Sequence, residues 1–87
     1  MAKYRIEIKS SAVKEIKKLP TSDLKKVLAK IESLAENPRP HDSVKLSGEE
    51  KYRIRSGDYR ILYMIEDAVL VVYVVKIGHR KDIYKRK

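Results

Sequence analysis

The segment YRIRSGDYRILYMIEDAVLVVYVVKI, residues 52–77, decides the fold of this chain. It contains three runs rich in β-branched and aromatic residues, which predict strands at about Lys51–Arg55, Tyr59–Glu66 and Val69–Ile77. The turns between them, SGD and EDA, are so short that neighbouring strands must form antiparallel hairpins. The third run is apolar for most of its length, as is typical of a central strand.

Before this segment, the apolar residues repeat first with the period of a strand and then with that of helices. Residues 4–8 alternate apolar and charged side chains, which predicts a half-buried strand. Residues 10–19 and 21–35 carry apolar side chains at helical spacing, and Ser10 and Thr21 are placed to cap the two helices. The predicted helical hairpin would cover one face of the sheet.

The stretch NPRPHDSVKLSGEE, residues 37–50, separates the helices from the hairpins. Its two prolines end the second helix, because proline disfavours the α conformation in the residue before it and donates no backbone hydrogen bond. Residues 41–50 are polar and predict a connecting loop. Residues 1–87 contain neither repeats nor a linker, so we expect one small α+β domain with the element order βααβββ.

The composition limits the class of function. The chain has no cysteine, which excludes disulfides, thiolate metal sites and a cysteine nucleophile and fits a cytoplasmic location. The longest apolar run, residues 68–75, is too short to span a bilayer, so no membrane partner is predicted. Histidine and acidic residues are scattered without the spacing of metal ligands, so we expect neither a metal nor another cofactor.

Positive charge dominates the chain and is concentrated in its C-terminal part. Lys and Arg number 21 against 12 Asp and Glu, which gives a net charge of +9. Residues 1–50 carry 11 basic and 8 acidic side chains, whereas residues 51–87 carry 10 and 4. This distribution predicts a polyanionic partner, and nucleic acid in particular, because no basic segment has an apolar face suited to a lipid surface.

Three arginines lie within the first predicted hairpin. Since side chains alternate along a strand, Arg53 and Arg55 should lie on the face opposite Ile54 and away from the helices. The turn then brings Arg60 beside them. Such a cluster is unfavourable by itself and favourable around a phosphate. The same pattern also fits the solvated side of an edge strand, where positive charge discourages aggregation.

A second group of candidate residues, His79, Arg80 and Tyr84, follows the last predicted strand. Together with the arginines, it supplies the groups that a metal-free ribonuclease needs. Such an enzyme activates the ribose 2′-OH, stabilises charge on the phosphate and protonates the leaving 5′ oxygen. Histidine has a suitable pKa range for proton transfer, and tyrosine can stack on a base or orient the ribose.

The motifs KLSG at 45–48, YRIRSGDYRILY at 52–63 and GHRKDIY at 78–84 resemble the RelE family of toxins, within the RelE/ParE superfamily. The resemblance implies a curved, mainly antiparallel sheet packed against a helical hairpin, as in small microbial ribonucleases. It also implies a toxin of a type II toxin-antitoxin system that cuts mRNA in the A site of the small ribosomal subunit. A RelB-like antitoxin from the same operon would inhibit it.

The resemblance also implies a role for each candidate residue. Arg53 and Arg60 take the place of the residues that stabilise the phosphate. Arg55 takes the place of the proposed general base and Arg80 that of the proposed general acid. Tyr84 takes the place of the tyrosine that orients the mRNA.

Arg55 differs from the lysine that is common at its position in the family. Arginine stays protonated in proteins, so we expect Arg55 to act electrostatically and His79 to share the proton transfer. Six further basic residues are expected to contact RNA or the ribosome: Lys45, Lys51, Lys76, Lys81, Lys85 and Arg86.

Two other functions remain open. A ParE-like toxin would share the fold, inhibit DNA gyrase and cut no RNA, although the segment GHRKDIY argues against that branch. A basic RNA-binding or ribosome-associated protein without activity would also explain the charge. Leu62 and Met64 are predicted on the face of Arg60, where either a partner or the chain's own C-terminal residues would cover them.

Overall fold

The computed structural model describes residues 3–46 and 51–79. None of the helices in these ranges is long and apolar enough to cross a membrane. The described part forms β1 (Arg5–Ile8), α1 (Ser10–Lys17), α2 (Thr21–Glu36), β2 (Val44–Lys45), β3 (Lys51–Ser56), β4 (Tyr59–Glu66) and β5 (Val71–His79), with a 3₁₀ turn at Asp67–Val69.

Both helices form where the apolar period predicts them. α1 buries Ala12 and Ile16 against the sheet, while the longer α2 buries a stripe that includes Val27, Ile31 and Leu34. These residues pack on the apolar side chains of β3, β4 and β5 in one core. The predicted helical hairpin therefore covers one face of the sheet.

The predicted caps of the two helices are wrong by one position. Ser10 and Thr21 are the first residues of their helices, whereas Lys9 and Pro20 occupy the capping positions and make no side-chain cap hydrogen bond. Proline is tolerated there because its fixed backbone angle suits the start of a helix and no hydrogen-bond donor is required of it.

The sheet has the strand order β1-β5-β4-β3-β2. β1 pairs with β5 in parallel, and every other neighbouring pair is antiparallel. The prediction of a mainly antiparallel sheet with a central last strand is therefore confirmed. The predicted loop at residues 41–50 is wrong in part, because Val44 and Lys45 form a short fifth strand on the outer edge of β3.

The β3–β4 hairpin turns through two residues, Gly57 and Asp58. Ser56 lies opposite Tyr59, so Ser56 belongs to the strand and not to the turn as predicted. Gly57 has a φ of 61°, a left-handed conformation that glycine adopts without the steric cost that a Cβ brings. A glycine at the first central position is typical of the two-residue turns that match the twist of a hairpin.

The connection from β4 to β5 is longer than predicted. Residues Asp67–Val69 form a 3₁₀ turn, and Leu70 has a left-handed φ of 55°. β5 consequently begins two residues later than the predicted Val69 and continues two residues past the predicted end at Ile77.

A polar network ties the segment after α2 to the far end of the sheet. The Arg39 guanidinium donates from both terminal nitrogens to Asp67, over 3.2 and 2.8 Å, and from Nε to the Tyr52 hydroxyl over 3.0 Å. The Tyr4 hydroxyl donates to the same carboxylate over 2.7 Å. These donors, Arg39 first, lower the pKa of Asp67 from 3.8 to about 2.

Candidate active site

The register of the β3–β4 hairpin determines which side chains share the open face of the sheet. Arg55 lies directly opposite Arg60, and Arg53 lies opposite Leu62. Directly opposed residues in an antiparallel pair point to the same side. Ile54 is buried on the other side, against the helices. The three arginines therefore share the face away from the helices, as the strand period predicts.

These arginines line one cavity of about 320 Å³, together with Asp42 and Val44. The arginines differ in burial, since Arg55 is exposed, Arg53 is half-buried and Arg60 is only 6% exposed. Burying a charge is costly unless nearby groups compensate it. Arg60 is the one charged residue that is buried within the described ranges, and it lies at a cavity rather than in a closed core.

The cavity has the chemistry of an anion site. A guanidinium presents a planar fork of donors that matches the oxygens of a phosphate, and it keeps its charge at any physiological pH. A partly buried guanidinium also interacts more strongly with an anion than one in bulk water, because solvent screens it less. The arrangement can therefore bind a phosphodiester and stabilise charge that develops on it.

Asp42 is the charged member of this cavity that the sequence does not single out. It precedes β2, which pairs with β3 through Val44 and Arg53 and so brings the loop to the edge of the arginine cluster. Its carboxylate lies 3.5 Å from the Lys30 amine on α2. The pairing of β2 with β3 is what indicates the position of Asp42. The sequence does not reveal this pairing, because two residues within a polar segment are too few to predict a strand.

His79 lies on the other face of the sheet from the arginines. It is the partner of Tyr59 in the β4–β5 ladder, and the two rings meet edge to face with centroids 5.6 Å apart. Both border a second cavity of about 430 Å³ beside α1, which Glu15 and Leu19 also line. The structure therefore does not bring His79 to the arginine cavity, where it was expected to share the proton transfer. The alternation from the buried Ile77 would have indicated this face, because residues two apart on a strand share a side.

The other predicted basic contacts are spread over the molecule. Lys76 on β5 lies 3.5 Å from the Glu15 carboxylate and lines the cavity beside α1, not the arginine cavity. Lys45 is exposed on β2, and Lys51 is half-buried opposite Met64. Five predicted site residues lie outside the described ranges: Arg80, Lys81, Tyr84, Lys85 and Arg86.

A family model described as the ParE toxin of type II toxin-antitoxin systems, parDE, matches residues 6–84. The chain is 37% identical to the putative toxin RelE1 of Methanocaldococcus jannaschii, over 95% of this chain and 97% of that one. The chain belongs to the RelE/ParE superfamily of type II toxins. The expectation that the chain is a RelE-type toxin is thereby confirmed.

Two further relatives agree with this RelE-type assignment. The mRNA interferase toxin RelE of Escherichia coli K12 is 31% identical, over 90% of this chain and 84% of its own length. The archaeal RelE–RelB complex from Pyrococcus horikoshii contains a chain that is 31% identical, with a TM-score of 0.81 over 92% of this chain and 97% of that one. The α+β fold expected from the sequence is therefore shared with solved RelE structures.

In this RelE-type toxin, the described acidic and histidine side chains do not gather into a metal-binding group. Across residues 3–46 and 51–79, no three of them lie together as ligands for an ion. The described residues do gather positive charge in one place, the cavity between β2, β3 and β4 that three arginines line.

Proposed function

We propose that this RelE-type toxin is an endoribonuclease that acts on the ribosome and cuts mRNA in the A site, which stops translation. The convergence of Arg53, Arg55 and the buried Arg60 in one cavity carries the proposal. Attack of a ribose 2′-OH on the adjacent phosphorus builds negative charge on the phosphate oxygens, and fixed cations stabilise that charge. In this mechanism the arginines do electrostatically what a metal ion does in other nucleases.

Each arginine has a place in this mechanism that fits its exposure. Arg60, at the buried side of the cavity, and Arg53 hold the phosphate oxygens. Arg55, at the exposed rim, stabilises the 2′ oxygen as its proton leaves, since arginine itself does not accept a proton. The resemblance to the family assigns Arg80 as the general acid for the 5′ oxygen and Tyr84 as the group that orients the mRNA.

The proposed substrate is mRNA because relatives from E. coli and Shigella flexneri are named mRNA interferases. The net charge of +9 favours association with the RNA-rich ribosome. No helix residue of the described part lines the arginine cavity, so an extended strand of RNA can approach it.

The test uses purified toxin and ribosomes that carry a defined mRNA with its A site empty. Primer extension maps the cut, and end analysis detects a 2′,3′-cyclic phosphate. Arg80→Ala should lose most cleavage and keep ribosome binding, whereas Lys25→Ala, which removes an exposed charge on α2, should cut as the wild type does. Unchanged single-turnover cleavage by Arg80→Ala would remove that residue from the mechanism.

A second candidate function follows from the family description, which names the ParE toxin. A ParE-like activity would inhibit DNA gyrase without cutting RNA. A supercoiling assay with purified gyrase separates the two functions. Gyrase inhibition without A-site cleavage by the wild type would replace the proposed function, and neither activity would leave a non-catalytic RNA-binding protein as the better description.

We also propose a RelB-like antitoxin as the partner that restrains this toxin. Related chains have been solved as RelE–RelB complexes from P. horikoshii and Mycobacterium tuberculosis. The basic cavity and the half-buried Leu62 and Met64 beside it offer an acidic, amphipathic segment both charge and apolar contacts. Adding the product of the neighbouring gene at equal concentration should abolish cleavage. Full cleavage in its presence would contradict this partner.

A further inference from the structure

We propose that Asp42 is the general base that removes the proton from the ribose 2′-OH. The proposal rests on the proposed ribonuclease function and fills a gap in it. A 2′-OH must lose a proton to attack, and the three arginines of the cavity stay protonated. Asp42 lines the same cavity and carries a carboxylate, which accepts protons.

The local structure holds Asp42 at the mouth of the cavity. Both the backbone N–H and the hydroxyl of Ser43 donate to the Pro40 carbonyl, over 2.9 and 2.7 Å, which fixes the turn that contains Asp42. The pairing of Val44 with Arg53 then anchors the chain directly after it. The Asp42 side chain is 48% exposed, so a substrate in the cavity can reach it.

The other acidic and histidine side chains of the described ranges, His41 and Asp58 included, are not among the residues that line the arginine cavity. His79 faces Tyr59 on the helix side of the sheet. Glu15 accepts the backbone N–H of Ile77 over 3.0 Å and lies beside Lys76 on that same side. Among the described residues that line the arginine cavity, Asp42 is the only one with a group that can take a proton.

The charges around Asp42 suit this role. Arg53 and Arg55 of β3 and Arg60 of β4 line the cavity with Asp42, whereas Lys30 of α2 pairs with the carboxylate over 3.5 Å and is not among the residues that line the cavity. The three arginines of the cavity stabilise the 2′ oxygen as it becomes an alkoxide. The base and the electrostatic stabilisers therefore act on adjacent atoms of one substrate.

Atoms and charges balance in the proposed step. The proton of the 2′-OH passes to the Asp42 carboxylate while the 2′ oxygen bonds to phosphorus. The bond from phosphorus to the 5′ oxygen breaks, and the 5′ oxygen takes a proton from water, which the Arg80 guanidinium of the proposed function polarises without losing its own charge. The products are a 2′,3′-cyclic phosphate and a free 5′-OH, after which Asp42 returns its proton to water.

The first test compares Asp42→Asn with the wild type in single-turnover cleavage on programmed ribosomes. Asparagine keeps the shape and accepts no proton, so the rate should fall about 10²- to 10⁴-fold. Ribosome affinity should stay equal or become tighter, because a negative charge leaves a cationic cavity. Asp42→Glu should recover part of the rate. A merely structural role predicts instead that affinity and rate fall together.

The second test is rescue by a small carboxylate. In Asp42→Ala, added formate should raise the cleavage rate at least about tenfold over the same concentration of chloride, because formate can occupy the vacated space and accept the proton. Lys30→Met, which breaks the ion pair with Asp42 and leaves the carboxylate, should cut within a few-fold of the wild type.

Three outcomes would overturn the proposal: cleavage by Asp42→Asn at the wild-type rate, no difference between formate and chloride, or a loss in Lys30→Met as large as in Asp42→Asn. In each of these outcomes the wild type still cuts mRNA, so the proposed function survives. An inactive wild type overturns the proposed function and the role of Asp42 with it.

Discussion

Arg55 and Arg60 are cross-strand partners that face each other directly on the open side of the β3–β4 hairpin. Like charges at opposed positions of an antiparallel pair are destabilising. One of the two, Arg60, is also buried, which adds a desolvation cost. The opposed arginines therefore lower the stability of the free toxin, and a bound phosphate would offset this cost.

Replacing Arg55 with threonine should therefore change stability and activity in opposite directions. Arg55→Thr removes the charge repulsion and places a β-branched side chain on a strand, so the free energy of unfolding should rise by about 0.5–1 kcal/mol. Cleavage should fall about 10²- to 10³-fold, because one cation of the cavity is lost. Urea denaturation and single-turnover cleavage measure the two effects.

Arg5→Thr is the matched control for this change. Arg5 is an exposed strand arginine that donates to Glu7 over 2.7 Å, far from the cavity. Loss of such a surface pair should lower the free energy of unfolding by at most about 0.5 kcal/mol and leave cleavage intact. Equal stability changes in the two variants would contradict the proposed repulsion between Arg55 and Arg60.

The salt dependence of ribosome binding should report the proposed contact between Arg53 and an RNA phosphate. Each phosphate contact releases about 0.7 counterions from single-stranded nucleic acid, so Arg53→Ala should reduce the log–log slope by about 0.7. Lys25→Ala should leave the slope unchanged. Binding titrations between about 50 and 200 mM salt measure both slopes. Equal slopes for the wild type and Arg53→Ala would remove Arg53 from the RNA contact.

The hairpins could be predicted because their signals are local. β4 begins and ends at Tyr59 and Glu66, as predicted, since turn residues flank it and its side chains alternate. β2 could not be predicted, because two residues form a strand only when β3 lies beside them. The predicted start of β5 was wrong for a similar reason. The 3₁₀ turn at Asp67–Val69 is held by contacts with Arg39 and Tyr4, which are distant in sequence.

The same distinction between local and long-range interactions holds for the candidate site. The shared face of Arg53, Arg55 and Arg60 follows from the period of a strand and one tight turn, so the sequence predicts it. Asp42 enters through the non-local pairing of β2 and was missed. His79 was placed with the arginines because its chemistry fitted, although the alternation from Ile77 indicates the other face.

Asp67→Asn should change the response of the toxin to acid. The folded-state pKa of Asp67 is about 2, below the 3.8 of a free carboxyl, because Arg39 and Tyr4 donate to the ionised form. The stability that Asp67 contributes is therefore complete above about pH 4 and lost as the pH falls towards 2. Asp67→Asn should show less stability loss across that range. Urea unfolding at a series of pH values from 5 to about 2 measures it.

Arg39→Met supplies the control for the Asp67 prediction, because it removes the main cause of the lowered pKa. In that background, Asp67→Asn should change the acid dependence much less than in the wild type. An identical effect in both backgrounds would show that the contact between Arg39 and Asp67 does not set the acid response.

Gly57→Ala should destabilise the toxin through the backbone alone. A Cβ at Gly57 would meet no atom within 4 Å, so no clash arises, but φ is 61° and disfavours an L-residue by about 1–2 kcal/mol. Gly57→Asn should cost less, because asparagine adopts positive φ more readily than alanine. Thermal and urea unfolding measure both changes.

Equal costs for alanine and asparagine would contradict a backbone origin. A smaller cost for asparagine would show that the φ of Gly57 constrains the two-residue turn, and this turn keeps Arg55 opposite Arg60.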